Sequence, residues 1–342
     1  MAAGDFTPTK LAEVQLKMME MWKEPQFQKN YVPRGDTTKT VLDQQTATFE
    51  ALEDPDKLKE VAVHWADFCG DTAVDSTNVD DCPLDACIEG EGKSKSYALD
   101  VFIDDCFSVT EEDLETSTLS IEEVVAMGMA AKQKNIAERF NAKVLAVIGS
   151  GAGDNPYLNG YTDNAGVTEI PEEDWTIEKI FPYWVRVMTM NRSTSVFALD
   201  GGNLFEEYIR ALTIYQNDNG KQPKNLLDMI SYGQDMFGFT RNDTTDETYL
   251  IDRGAVAIAN RAKFPSNPRL VGGLVQQTRY SIPMVNEPRL KIDVIYGIVC
   301  TGDEIKHTWK MKLRAGVFLN PTMCDAGNTG ILTFRKVGGG QP

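Results

Sequence analysis

The sequence predicts an α+β protein organised around one long helix, and two features indicate this class. Apolar residues recur every three or four positions over Ser120–Ile148, with no internal proline. The C-terminal third is instead rich in β-branched and aromatic residues, in segments separated by short turns. A helix of this length spans about 43 Å, longer than a compact domain of this size requires, and therefore fits a flat, extended subunit.

Clear start and stop signals bound the long helix. Ser120 is followed three residues later by Glu123, the spacing of a capping box, and Glu122 lies beside it at the positive end of the helix dipole. Residues 149–153, mostly glycine, and then Pro156 end the pattern. The stripe expected in the core includes Met127, Met129, Ile136 and Phe140.

Acidic residues are concentrated just before this helix. Residues 67–123 contain seventeen carboxylates against Lys93 and Lys95, and so carry a net −15 of the chain's total of −17. The acidity is therefore a local property of one projecting segment. We expect this segment to meet basic residues of an adjacent subunit. The available residues are Arg186, Arg192, Arg210, Lys306, Lys310, Lys312 and Arg314.

Composition excludes several classes of protein. The chain has 342 residues, 42% of them hydrophobic, a mean hydropathy of −0.31 and no apolar run near the roughly 20 residues that cross a bilayer. No basic-then-apolar signal pattern opens the sequence, so we expect a cytoplasmic protein without a membrane partner. Six cysteines in so long a chain indicate reduced thiols. Net acidity argues against direct wrapping of nucleic acid.

The N-terminal region predicts a short helix followed by an extended arm. Leu11, Val14, Met18 and Trp22 form one stripe within residues 9–24, and periodicity then disappears to about residue 56. Such an arm buries few apolar groups alone and is expected to lie on a neighbouring subunit.

Strands are predicted on both sides of the long helix. Before it, residues 61–68 and 96–109 favour strands joined by a long hairpin-like loop, and after it comes a surface segment rich in glycine, asparagine and tyrosine, residues 149–171. The further predictions are a buried strand at Trp184–Met190, a helix from Leu204 to Tyr215 capped by Asn203 and Glu206, a helix near 225–230, and strands at 249–259, 290–300, 307–319 and 330–337.

Motifs for catalysis or ligand binding are weak. Val144–Gly153 lacks the GxGxxG spacing of a dinucleotide loop and is interpreted as a helix stop. A metal site could use His64, Cys69, Cys82 and Cys87, or Asp80 with Asp81, but no CxxC or HxxxH spacing is present. The two histidines, His64 and His307, lie in strand-like runs and are interpreted as structural. We therefore predict no enzyme activity, no cofactor, and no catalytic, cofactor-binding or metal residues.

The order of these parts resembles the tailed-bacteriophage major capsid fold of the Hong Kong ninety-seven type. Local strings are similar to capsid-protein sequences as well: YLIDRGAVAIANR at Tyr249–Arg261, and KLRAGVFLNP followed by TGILTF. The resemblance covers nearly the whole chain. It implies an N-terminal arm at 1–59, an extended loop at 60–112, a peripheral domain at 113–179 with the spine helix 119–148, an axial domain at 180–284, and a return to the peripheral domain at 285–342.

The resemblance also implies a function. The chain would self-assemble through pentamers and hexamers into the icosahedral head of a double-stranded DNA phage, in the bacterial cytoplasm, and remain in the virion. Scaffolding, portal and decoration proteins are further implied partners. Because no long charged helix precedes the arm, either a separate scaffolding protein or assembly on the arm alone would be implied. Removal of residues 1–24 is expected to leave a foldable subunit that assembles poorly.

Two alternative functions remain open. An encapsulin-like compartment shell resembles the same fold and would package enzymes rather than DNA. A cytosolic metal- or nucleotide-binding enzyme would use the cysteine cluster or the glycine loop, and one bound zinc per chain would support it.

Overall fold

A computed structural model of the chain describes residues 8–33, 35–45, 60–67, 91–191, 195–200, 230–232, 247–262, 266–271, 275–301, 304–319 and 329–338. In these ranges the helices are α1 Pro8–Met21, α2 Pro25–Tyr31, α3 Thr37–Gln44, α4 Glu111–Thr116, α5 Ile121–Ser150 and α6 Ile177–Met190. No helix in the described ranges is both long and apolar enough to cross a membrane.

The described strands form a two-stranded ribbon and two six-stranded sheets. They are β1 Glu60–Asp67, β2 Glu91–Ala98, β3 Val101–Thr110, β4 Thr162–Asn164, β5 Val167–Pro171, β6 Val196–Asp200, β7 Ile230–Tyr232, β8 Glu247–Asp252, β9 Val256–Asn260, β10 Ser266–Val271, β11 Val275–Pro283, β12 Lys291–Thr301, β13 Glu304–Leu319 and β14 Ile331–Val337. The ribbon is β1–β2, the first sheet has the order β10-β11-β12-β13-β3 with β9 also on β13, and the second has the order β4-β5-β14-β8-β6-β7. This confirms the α+β class.

Helix α5 begins and ends as the sequence predicts. The Ser120 side chain accepts from the Glu123 N–H at 3.3 Å, and the Glu123 carboxylate accepts from the Ser120 N–H at 3.1 Å, which completes the capping box. Gly151 caps the other end. Met129, Ile136 and Phe140 are fully buried in the main core, with Met127 partly buried against it, so the predicted stripe is confirmed as core.

The N-terminal helices pack on α5 of the same chain, which corrects the predicted extended arm. Leu11, Val14 and Met18 of α1 are 5%, 1% and 1% exposed and belong to the main core, with Trp22 packed against it. The apolar stripe is therefore already covered and is not left for a neighbour. Residues 25–31 and 37–44, for which no periodicity was evident, form α2 and α3 because tertiary contacts compensate for weak local preference.

A buried asparagine on α5 holds α3 in place. The Asn141 side-chain oxygen accepts from the Thr38 N–H at 3.2 Å and from the Thr38 hydroxyl at 2.5 Å, while its amide donates to the Gly35 carbonyl at 2.6 Å. Thr38 and Asn141 are both buried, so these bonds satisfy groups that water does not reach. The N-terminal segment is thus tied to α5 by polar as well as apolar contacts.

The ribbon confirms the predicted hairpin pairing and divides the second predicted strand. β1 and β2 pair antiparallel over eight residues, from Glu60 opposite Ala98 to Asp67 opposite Glu91. The predicted strand at 96–109 is interrupted at Leu99–Asp100, after which β3 joins the first sheet beside β13. The chain therefore leaves the ribbon and enters the first sheet within two residues.

The second sheet carries α6, and here one prediction is wrong. Residues 184–190, predicted as a buried strand, belong to helix α6. Buried positions on α6 follow the helical spacing: Ile180, Phe181, Tyr183, Trp184, Val187 and Met188. A short apolar run does not by itself distinguish a buried strand from the buried face of a helix.

The C-terminal third matches its predicted strands closely. β12 and β13 form the hairpin around residues 301–304, and β14 is the predicted final strand. The predicted strand at 249–259 is two strands, β8 and β9, separated by a turn at Gly254, whose φ of +82° suits glycine. The helix predicted at 204–215 lies outside the described residues, as does the helix predicted near 225–230 except for Ile230, which begins strand β7. The second sheet joins strands from three parts of the chain, at 162–171, 196–252 and 331–337.

Candidate functional site

The weak enzymatic motifs do not form a site in the described part of the chain. Residues 144–150 are helical, so the Val144–Gly153 string is a helix end and not a strand entering a phosphate loop. His64 lies in β1, while Cys69, Asp80, Asp81, Cys82 and Cys87 lie outside the described residues. Within the described ranges, no group of three or more His, Cys, Asp or Glu residues has the geometry of a metal site.

His307 is a buried histidine with hydrogen-bonding partners, as the sequence interpretation expects. It lies on β13, and its Nδ1 is 2.7 Å from the Tyr296 hydroxyl. Its Nε2 lies 3.5 Å from a carboxylate oxygen of Glu111, and its ring stacks near Tyr296 and Trp309. These contacts explain why a histidine is tolerated in the core.

Four of the basic residues predicted to meet the acidic segment form one row on the first sheet. Lys306, Lys310, Lys312 and Arg314 occupy even positions of β13, so they share one face. The residues between them, His307, Trp309, Met311 and Leu313, are buried on the opposite face.

Part of this basic row is already paired within the chain, which corrects the expectation that it is kept for a neighbour. The Lys310 ammonium donates to Asp104 of β3 at 2.5 Å, and this bond holds the pKa of the Asp104 carboxyl below its usual value. Arg314 lies 3.9 Å from Asp293, which is 1% exposed. Because β3 and β13 are adjacent strands, β3 of the acidic segment contacts the basic residues of β13 within the same chain. Arg186 lies on α6, and Arg192 and Arg210 lie outside the described residues.

The ribbon β1–β2 is the clearest candidate for contact with another molecule. Eight residues of strand extend about 26 Å. Within the described residues, β1 hydrogen-bonds with β2 and joins neither six-stranded sheet. The base of the ribbon is anchored where Tyr97 packs 4.9 Å from Phe318 and donates to the Leu319 carbonyl at 2.5 Å. A two-stranded ribbon is marginally stable by itself in water, so the rest of its length requires a partner surface.

An open cleft of about 590 Å³ lies where α6 meets β5 and the loop before β4. Three tyrosine rings line it: Tyr183 lies 5.0 Å from Tyr161 and 6.2 Å from Tyr157. The Arg186 guanidinium lies 4.6 Å from the centre of the Tyr157 ring. The remaining lining residues include Asn159, Pro171, Asp174, Lys179 and Pro182.

Hydrogen bonds fix the rings of this cleft. The Tyr183 hydroxyl accepts from the Asn155 amide at 2.8 Å and donates to the Tyr157 carbonyl at 2.9 Å, and burial raises the pKa of Tyr183 to about 12. The Tyr157 hydroxyl donates to the Asn159 side chain at 2.8 Å, and Asn159 itself has a φ of +51°. A left-handed backbone and locked side chains are typical of pre-organised binding surfaces. The sequence indicated only a surface segment here, although its density of Tyr, Asn and Gly is itself typical of recognition loops.

No protein-family model and no curated protein sequence matches the chain. Among solved structures, the chain is similar to one from Mycobacterium phage Adephagia, with 12% identity, 90% of this chain and 92% of that chain covered, and a TM-score of 0.49. It is also similar to the Cyanophage Pam1 capsid asymmetric unit, with 9% identity, 81% and 84% coverage and a TM-score of 0.43. The capsid structure of Staphylococcus phage Andhra gives 9% identity, 90% and 86% coverage and a TM-score of 0.42. Similarities this distant do not establish a function. A function for this chain is therefore argued from its own surfaces.

Proposed function

We propose that the chain is a major capsid protein, a structural and non-catalytic subunit that self-assembles into the icosahedral head of a tailed phage. The observation that carries this proposal is the ribbon β1–β2, whose described strands join neither six-stranded sheet. Around it stand a 30-residue helix, α5, and two sheets, with one core shared by α5 and both sheets and a second core between α6 and the second sheet. A body with its own buried cores and one ribbon outside both six-stranded sheets suits a subunit whose ribbon docks on another copy.

The proposed mechanism is geometric. A ribbon that seats on a different surface of the next copy makes a heterologous contact, and such contacts close into rings when the rotation between copies allows it. Rings of five and six copies then build a closed shell. In this assignment residues 60–112 are the extended loop, 119–148 the spine helix, 180–284 the axial domain, and 113–179 with 285–342 the peripheral domain. The described helices of the N-terminal segment 1–59 pack on α5 and belong to the body of the same subunit.

The wider context belongs to the same proposal. The shell encloses double-stranded DNA without reading its sequence, assembles in the bacterial cytoplasm and persists in the virion. An acidic chain with a pI near 4.6 suits a wall that faces packed DNA without binding it tightly. Scaffolding, portal and decoration proteins complete the proposed set of partners.

Electron microscopy of the recombinant full chain after size-exclusion chromatography tests the proposal, with and without coexpressed neighbouring genes. We expect shells, tubes or capsomer rings. Nuclease-protected DNA inside shells supports a phage head, whereas a protein cargo would assign the chain to an encapsulin-like compartment. A monodisperse monomer or dimer under every condition would contradict self-assembly, and one bound zinc per chain would then point to the enzyme alternative.

A further inference from the structure

The tyrosine cleft contains a cation that lacks a carboxylate partner among the described residues. Arg186 is exposed on α6 and contacts the face of the Tyr157 ring. The other cation of the cleft, Lys179, is paired with Asp174. The cleft therefore offers three aromatic rings beside one uncompensated positive charge, and its complement is an aromatic group next to a carboxylate.

This complement is present elsewhere on the same chain. Phe102 on β3 is 69% exposed, the largest exposure among the large hydrophobic residues whose burial the structure describes. Asp100 is also exposed and lies two residues before it, where the chain passes from β2 to β3. Leu99 and Ile103, on either side, are 5% and 8% exposed and hold this corner of the chain rigidly.

We propose that Phe102 of one copy inserts among the tyrosines of the cleft in a second copy, with Asp100 pairing with Arg186. This contact rests on the proposed self-assembly and names a pair of surfaces through which it proceeds. Two different surfaces meet, so the contact is heterologous and leads to rings or shells rather than to a closed two-fold dimer.

The dimensions and chemistry of the two surfaces agree. A cleft of about 590 Å³ falls within the range that accepts a buried side chain and its neighbouring backbone. The Arg186 guanidinium lies 4.6 Å from the centre of the Tyr157 ring, and that ring lies 6.2 Å from the Tyr183 ring. The positive charge and the aromatic surface of the cleft are therefore adjacent, as Asp100 and Phe102 are close in the chain. Tyr and Arg are the residue types most enriched among those that dominate binding energy at interfaces. Because hydrogen bonds already fix the rings, docking orders few side chains.

Charge exchange tests the ion pair. In the full-length chain, Asp100→Arg and Arg186→Asp are each expected to raise the protein concentration required for assembly about tenfold, a change of the size that one interface ion pair produces. The double variant restores the pair with reversed polarity and is expected to assemble near the wild-type concentration. Lys143→Asp reverses an exposed charge on α5, outside both surfaces, and serves as the control for net charge.

Truncation of the aromatic group tests the insertion. Phe102→Ala is expected to weaken assembly to a similar degree, while Phe102→Tyr retains most of it. Val299→Ala, at a residue 41% exposed on β12, is the matched control for loss of an exposed apolar side chain. Unchanged thermal unfolding of the unassembled variants shows that the fold is intact.

The outcomes separate this contact from the proposed function. If wild type forms no assembly under any condition, self-assembly itself is wrong. If wild type assembles and the single variants assemble equally well, the shell function stands and the Phe102 contact is overturned. Shells that form normally but lose a bound acidic protein in Arg186→Asp would assign the cleft to that other partner and likewise overturn the contact.

Discussion

The N-terminal helices and the β1–β2 ribbon make an informative pair of regions. The sequence predicts that both reach a neighbouring subunit, the N-terminal arm because it buries few apolar groups alone and the loop that contains the ribbon because of its acidic charge. In the structure, α1 places Leu11, Val14 and Met18 in the core beside α5, whereas β1 pairs only with β2 among the described residues. The difference shows that a sequence pattern can predict that an element packs against another surface, but not whether that surface belongs to the same chain or to a neighbour.

The largest expected effect on stability comes from the first region. Met18→Ala removes a side chain that is 1% exposed and should lower the free energy of unfolding by about 2–5 kcal/mol. Urea denaturation of the unassembled subunit measures it. Met19→Ala, at a neighbour on the same helix that is 53% exposed, should change stability by less than about 0.5 kcal/mol. Equal effects of the two variants would show that α1 does not pack on α5 in solution.

This packing also changes the expected result of truncation. Removal of residues 1–24 takes four described buried side chains, Leu11, Val14, Met18 and Met21, out of the core and uncovers the face of α5 beneath them. The truncated chain should therefore lose stability as well as assembly, in contrast to the expectation from the sequence alone. Poor assembly of that truncation is for this reason weak evidence about an interface.

A smaller effect is expected at the polar contact between α3 and α5. Asn141→Ala leaves the Gly35 carbonyl and the Thr38 groups without their partner and should cost about 1–3 kcal/mol. Hydrogen exchange should then accelerate in α3 before the rest of the chain. Asn135→Ala on the same helix removes an exposed bond to Asp105 and is the control. Unchanged protection of α3 in Asn141→Ala would contradict the role of this side chain.

Much of the fold is predictable because its signals are local. The capping box at Ser120, the three- and four-residue spacing of α5 and the hairpin of β12 with β13 each depend on residues close in sequence. Helix α6 was not predicted, since its apolar residues are dense enough to suit a strand as well. The division of β2 from β3 at Leu99–Asp100 is set by burial of Leu99 near Tyr97 and Phe318. Phe318 is far from Leu99 in the sequence, so the pattern around Leu99 does not reveal this contact.

The candidate surfaces are less predictable than the fold. The tyrosine cleft requires the loop before β4 to meet α6, and its rings come from positions 157, 161 and 183. The basic row of β13 is visible as alternate charges in the sequence, but its pairing with Asp104 depends on strand register. Contacts between elements, rather than residue types, therefore decide which charges remain for a partner.

The ribbon should show the opposite behaviour to α1. Replacement of residues 62–96 by Asn-Gly joins Val61 to Tyr97 through a two-residue turn, at positions that already face each other. Because an isolated ribbon contributes little, the free energy of unfolding should change by less than about 1 kcal/mol. Assembly should be abolished, as seen by electron microscopy. A loss of stability comparable to that of Met18→Ala would place the ribbon on its own chain and remove the contrast between the two regions.

The smallest effect concerns the ion pair that links α1 to α5. The Glu123 carboxylate accepts from the Ser120 N–H and from the Lys17 ammonium, which lies 3.0 Å away, and these bonds hold the pKa of Glu123 below its usual value. A carboxyl whose pKa is lower in the folded state stabilises the fold at pH values above its pKa in the unfolded chain, about 4.3. This stabilisation is lost as the pH falls through the pKa of the folded state. The melting temperature should therefore fall slightly between about pH 5 and pH 3.

The substitution Glu123→Gln tests this origin of the pH dependence. Glutamine still accepts from the Ser120 N–H but has no charge, so the variant should show a flatter profile over the acidic range. The hydrogen bond between Lys17 and Glu123 also raises the pKa of Lys17. The stability that Lys17 contributes is therefore present at pH values below its pKa in the unfolded chain and lost at strongly alkaline pH, and it requires Glu123. Glu122→Gln, in the same first turn, is the control and should keep the wild-type slope. A slope unchanged in Glu123→Gln would mean that solvent screens this exposed pair completely, so that apolar contacts and Asn141 hold the N-terminal helices.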